Sequence, residues 1–280
     1  YEPCFAILTK YMGERAQQSI TLVTLMAGFA GTIAFPTSHA LLDDIGWRGV
    51  VFVFALLIGL VSAPLNLYAV SQAKTKNPAP PEPAARNTGR DLNPAGLRTL
   101  ILLGFAFAAM AFDHNALLSH LLVLLDEKGV HSQVAVFAAA MIGPMQVSGR
   151  LAMMAFEGRT KIVSVAIVAF FSMSFATLML FGVGNGAIFL ILFVLLQGAG
   201  FGVASIVRPI LIADLLGRRR FGTIAGFLAV PFLIAMALAP SLAGAIWVAG
   251  GYNLLILITA VIGLLGICAL SFAARSATKT

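Results

Sequence analysis

The sequence predicts an all-α fold, a polytopic membrane helix bundle, on three observations. Hydrophobic residues make up 60% of its 280 residues and charged ones 10%, for a mean hydropathy of +0.96. A soluble domain of this size carries about 45–50% apolar and about 25% charged residues. Apolar runs of spanning length recur along the chain, separated by short polar or glycine-marked breaks. Lysine and arginine are sorted almost entirely into alternate breaks. With 11 acidic and 18 basic side chains the chain cannot cover a water-soluble body of this size. That excludes an ordinary cytosolic enzyme, a disordered tail and a secreted disulfide scaffold. Cys4 and Cys268 stand near opposite ends, so they assemble neither a disulfide framework nor a zinc knuckle.

A spanning helix needs about 20 mostly apolar residues. Runs of that kind fall at 18–41, 48–71, 99–125, 132–155, 162–182, 187–207, 222–249 and 253–273. Ahead of them, Tyr1 to Thr9 is apolar but too short to span, and it lacks the basic start and cleavage site of a secretory signal. It is read as the inner end of a helix whose start lies outside the chain, which makes the chain a fragment or the product of a mis-called start. Asp43-Asp44-Ile45-Gly46-Trp47-Arg48 separates the first two runs, and Gly182-Val183-Gly184-Asn185-Gly186 separates the fifth from the sixth. The polar stretch 72–98 holds Pro78, Pro80, Pro81, Pro83 and Pro94 among Lys74, Lys76, Arg86, Arg90 and Arg98. It reads as a hydrated linker between two halves. Pro36, Pro144, Pro231 and Pro240 are expected to kink or end their helices.

Assigning alternate loops to one side collects every Lys and Arg except Arg48 and Lys128, which share the other side with Asp43, Asp44, Asp126 and Glu127. The positive-inside bias makes the basic side cytoplasmic, with the linker and C-terminus inside. A net charge of +7 therefore belongs to membrane loops. Nucleic-acid binding would need basic residues interleaved with polar or aromatic ones on a solvated face, and none is expected.

The chain also repeats itself. Aligned on Gly13 and Gly217, Arg15 meets Arg219, Ile20 meets Ile224, Pro36 meets Pro240 and Gly46 meets Gly250. Both copies run basic loop, long apolar helix with a late proline, glycine-marked outer turn, then another helix, and repeated bundles are how many transporters are built. Six helices lie after the linker, so six should lie before it, and only two and a stub are present.

These features resemble the major facilitator superfamily. They are Gly13-Glu14-Arg15 opening one helix, Gly46-Trp47-Arg48 before the next, the Pro-rich charged linker, and Gly149-Arg150 followed by Glu157-Gly158-Arg159-Thr160-Lys161. The last stretch looks like a worn copy of the family's glycine- and arginine-rich loop. The resemblance implies that the fold is an MFS fragment running from the end of the fourth helix through the twelfth. Residues 1–71 would complete the N-terminal six-helix half, 72–98 would be the cytoplasmic linker, and 99–280 would form the C-terminal half. Within the family the chain looks nearest to monocarboxylate-type and organic-anion porters.

An ionisable residue inside a span is expensive and is by default a functional candidate. Phe112-Asp113-His114-Asn115 lies near the middle of the first helix after the linker, and His120 follows Asp113 by seven residues. Seven residues turn the helix by about 700° and advance it roughly 10 Å, so the two point nearly the same way. A carboxylate and two imidazoles suit the uptake and release of a coupling proton, and the resemblance places this helix on the central cavity. The other reading of the group is a structural polar cluster between helices. Arg150, with Gln146 one turn earlier, is the substrate candidate, since a guanidinium forks onto a carboxylate. Monocarboxylate-type porters hold the substrate carboxylate with an arginine in this helix and carry an aspartate one turn before it, where this chain has Gln146. Arg150 is alternatively the latch arginine of the worn loop motif. Asn115 and Gln197 are further substrate-binding candidates, and Glu2 a further proton-coupling one. His39 reads as an interface histidine. Gly198, Gly200 and Gly202 after Gln197 follow no strand, so they are no dinucleotide site; small residues here let helices approach closely.

The function expected is secondary active transport of a small organic anion, such as a monocarboxylate, by alternating access and with a coupling proton. The alternatives are proton-driven efflux of a drug or metabolite and, remotely, a polytopic membrane enzyme using Asp126, Glu127 and His131. The protein is expected to be a non-enzymatic monomer in a bacterial inner membrane. Its partners would be the lipid bilayer, a small-molecule substrate and a proton, with no cofactor and no metal.

Overall fold

A run of apolar residues in lipid must satisfy its backbone N–H and C=O groups internally, and a helix does so within one segment. The structure, a computed structural model, describes residues 2–12, 16–28, 30–76, 94–155, 159–217 and 221–277. Every extended element among them is helical. Helices α1 (Glu2–Met12), α2 (Ala16–Gly28), α3 (Ala30–Leu57) and α4 (Ala63–Lys76) come first. They are followed by α5 (Pro94–Glu127), α6 (Ser132–Ala155), α7 (Ile162–Met179), α8 (Ala187–Leu216) and α9 (Phe221–Ala277). A π-helical turn at Ile58–Ser62 joins α3 to α4, and a 3-10 turn at Leu180–Asn185 follows α7. Six segments among the described residues are long and apolar enough to cross a membrane, so the described part of the chain is all-helical and of multi-pass membrane type.

The expected spans map onto these helices with three adjustments, one being that the run at 48–71 is carried by the part of α3 beyond Gly46, the π-helical turn and α4. The run at 18–41 is carried by α2 and the start of α3, on either side of residue 29, which lies outside the described residues. The runs at 222–249 and 253–273 are the two arms of α9, broken at Gly250 and Gly251. Polar Gln72 to Lys76 continues α4, and Pro94 opens α5, where its fixed φ and missing N–H suit a first helical turn. Of the linker read at 72–98, only 77–93 lies outside the described residues. Gly13-Glu14-Arg15 and Glu157-Gly158 lie outside them too.

The chain divides into two compact units, Pro3–Arg90 and Asp91–Thr280. In the first, Pro64 explains the π-helical turn. It has no N–H to offer the preceding turn, and the Ala63 N–H reaches back to the Ile58 carbonyl. The span Asp44–Gln72 is apolar nearly all round, with Phe52, Leu60 and Leu67 exposed.

In the second unit α5 packs chiefly on α9, while α8 is held between α6 and α7. Glycines set that wedge. A Cβ on Gly198 would lie 2.5 Å from Met145 Cβ and 2.8 Å from the Ile142 carbonyl oxygen on α6. One on Gly200 would lie 2.6 Å from Met173 Cγ on α7. Dispersion and close backbone approach hold helices together in lipid, which is why small residues sit at these crossings.

The repeated glycine turn recurs as conformation. Gly46 (φ 66, ψ 170) and Gly251 (φ 71, ψ −176) adopt the same backbone, each directly before an aromatic residue, Trp47 and Tyr252. That region of φ and ψ is essentially open to glycine alone. The structural match therefore pairs Gly46 with Gly251, one residue along from Gly250.

Candidate functional site

The core of the second unit is split in two. One apolar cluster contains Leu117, Leu121, Leu180, Phe193 and Leu255, and the other contains Leu103, Phe107, Met173, Leu211 and Leu270. Along each of α5, α7, α8 and the second arm of α9, a buried polar residue falls at the boundary between the clusters. These are Asp113 with His114, Ser174 with Thr177, Gln197, and Thr259. The bundle thus has a polar layer at mid-height.

Asp113 is its centre. The residue is 1% exposed. Its Oδ1 accepts from the Thr177 hydroxyl at 2.9 Å, and its Oδ2 accepts from Gln197 Nε2 at 3.2 Å. Three helices, α5, α7 and α8, therefore meet on one carboxyl group. The cost of burying a carboxyl is met only where its oxygens are hydrogen-bonded, and here both are. His114, the next residue, turns elsewhere: its ring stacks on Phe201 of α8 with centroids 3.6 Å apart. Two buried atoms of this layer, His114 Nδ1 and Gln197 Oε1, have no hydrogen-bond partner among the described residues.

Arg150 of α6 is 5% exposed and reaches the same helix α8. Its Nε donates to the Gly202 carbonyl at 3.3 Å, and its Nη2 donates to Ser205 Oγ at 3.3 Å. Ser205 in turn donates to the Gly202 carbonyl at 2.7 Å. The approach depends on glycine, since a Cβ at 202 would run into the backbone of Gln146, and one at 149 into the backbone of Ala199. Gln197 and Gly202 are five residues apart on α8, roughly 7.5 Å along the axis. The Asp113 carboxyl of α5 and the Arg150 guanidinium of α6 thus bond neighbouring turns of α8.

The remaining expected site residues are dispersed. His120 does not join Asp113. Its Nε2 lies 3.1 Å from the Pro240 carbonyl and its Nδ1 3.4 Å from the Tyr252 hydroxyl, so it ties α5 to both arms of α9. His120 stands two turns along the same helix α5, where the neighbours are the two arms of α9, so its partners differ from those of Asp113. The carbonyl can only accept, which places the proton on Nε2 and makes Nδ1 the acceptor for Tyr252 when the ring is neutral. Asn115 Nδ2 donates to the Ala111 carbonyl of its own helix at 2.8 Å. Gln146 contributes backbone to the Gly202 crossing. Gln197 faces Asp113. Glu2 begins α1, and its side chain and that of His39 lie outside the described residues.

At the end of the bundle holding residues 126–131, Glu127 accepts from Trp247 Nε1 at 3.3 Å, and Lys128 donates to Asn253 at 2.8 Å. Thr177, Phe201 and Ser205 were not singled out from sequence. A threonine or serine in an apolar run usually bonds its own helix, and nothing in the spacing distinguishes these three. Compared with known proteins, the chain matches no protein-family model, and no curated sequence is significantly similar to it.

Proposed function

We propose that the chain forms the end of the fourth through the twelfth helices of a major-facilitator-type secondary transporter in a bacterial inner membrane. It would move a small organic anion by alternating access with a coupling proton. The observation that supports this reading most is a pair of buried ionisable groups. A carboxyl at Asp113 and a guanidinium at Arg150 are both buried inside a lipid-facing bundle and both bear on α8. Ionisable groups at membrane depth are costly and mark substrate or ion pathways, and transporters place such sites near the midplane of the bundle. In this reading Arg150 anchors the substrate carboxylate, its present bonds to Gly202 and Ser205 being replaced in part as the anion binds. Asp113 carries the proton.

The test is counterflow of labelled lactate-like acids in proteoliposomes bearing the whole transporter. Saturable uptake that disappears in Arg150→Ala is the expected result. Absence of saturable uptake, or uptake unchanged by that substitution, would refute the anion assignment.

A further inference from the structure

The two oxygens of Asp113 have partners of different kinds. Gln197 Nε2 donates to Oδ2 at 3.2 Å, and it can do so whether Oδ2 belongs to a carboxylate or is the carbonyl oxygen of a carboxylic acid. Thr177 has a choice. Its hydroxyl has one proton, and that proton has two acceptors in reach: Asp113 Oδ1 at 2.9 Å and the Met173 carbonyl, one turn back on α7, at 3.1 Å. A hydroxyl also has two lone pairs with which to accept.

We propose that Thr177 is the positioning residue that lets Asp113 hold and release a proton with no heavy atom moving. When Asp113 is ionised, the Thr177 O–H donates to Oδ1. When a proton from the aqueous phase adds to Oδ1, the new O–H donates to Thr177 Oγ1, and the Thr177 O–H turns to the Met173 carbonyl. One O–H bond forms at Asp113, no bond in the protein breaks, and release is the reverse. Each state keeps every proton of the pair donated, so neither suffers the penalty of a buried donor left unmade. A fixed donor, such as a backbone N–H in the place of Thr177, would serve the carboxylate and oppose the acid.

Among the described residues no other ionisable side chain bonds the Asp113 carboxyl. His114 faces Phe201, and the guanidinium of Arg150 is engaged further along α8 at Gly202. From 132 to 149 on α6, along α7, from 187 to 207 on α8 and from 221 to 274 on α9, the sequence has no Asp, Glu, Lys, Arg or His.

This inference rests on the transporter reading only for the purpose of the proton, so its test needs no transport. Infrared difference spectra of the chain in lipid, taken between high and low pH, should contain a protonated-carboxyl C=O band that vanishes in Asp113→Asn. The band should move in Thr177→Val, which keeps the shape and removes the hydroxyl, and return in Thr177→Ser. Thr177→Ala serves if the valine variant does not fold. An Asp113 band at the same frequency in wild type and Thr177→Val would overturn the role of Thr177 and leave the proton reading standing. No Asp113-dependent band at any pH at which the chain stays folded would overturn both.

Discussion

Adding one methyl group at Gly202 should do more damage than its size suggests. A Cβ there would lie 2.7 Å from Gln146 Cα and 2.8 Å from its carbonyl carbon, where non-bonded carbons rest at about 3.5–4.0 Å. The obstacle is backbone on a neighbouring helix, so no rotamer change relieves it, and α6 and α8 must part by about 1 Å to restore that spacing. Overpacking of this kind costs about 1–3 kcal/mol. The same displacement stretches the Arg150 bonds to Gly202 and Ser205, both already 3.3 Å long. Hydrogen bonds to a charged group contribute about 1.5–3 kcal/mol each. With partial relaxation, Gly202→Ala should destabilise the second unit by about 3 kcal/mol. The control is Gly226→Ala on α9, where an added Cβ meets nothing within 4 Å. There the better helix propensity of alanine should stabilise by about 0.5–1 kcal/mol. Equilibrium unfolding in mixed detergent–dodecyl sulfate micelles, followed by far-UV circular dichroism, measures both. The close-packed α6–α8 crossing is refuted if Gly202→Ala is as stable as Gly226→Ala.

Asp113→Asn should abolish gradient-driven uptake and spare substrate exchange in the same proteoliposomes, since the amide still bonds its neighbours but carries no exchangeable charge; gradient-driven uptake at the wild-type rate would remove Asp113 from the proton path. Arg150→Lys should lose saturable anion uptake, because an ammonium cannot fork onto a carboxylate, and retained uptake would point to the latch role instead. His120→Phe should lower unfolding stability by about 1–2 kcal/mol through its lost bonds to Pro240 and Tyr252 while leaving the proton-to-substrate ratio unchanged; a changed ratio would return His120 to proton handling. Gly251→Ala should cost about 1–3 kcal/mol in the same unfolding assay although the space is open, because its φ of 71° is left-handed.

The elements of the bundle were legible because each depends on local sequence. Spanning length is a matter of consecutive apolar residues, and the turns before Trp47 and Tyr252 are marked by glycines that alone tolerate the backbone there. Asp113 was legible for a similar reason, since a lone carboxyl in an apolar run has no inexpensive explanation. Its neighbours were harder to read. Spacing along one helix tells which residues share a face, but says nothing of which helix that face meets. Asp113 and His120 share a face of α5 and still end on different partners, Thr177 with Gln197 for one and Pro240 with Tyr252 for the other.

By itself the sequence determined that this is an all-helical membrane chain, where its helices run, and that its few charges inside the apolar runs are the places to look. Those follow from the hydrophobic content of single segments, and lipid as solvent enforces them. Only the tertiary structure decided that Gln197 serves Asp113, that Thr177 faces the same carboxyl, and that Arg150 meets Gly202 and Ser205 on α8. Those pairings are set by crossings between helices far apart in the chain. The crossings depend on which small residues let two backbones touch, a property of two segments at once that neither carries alone.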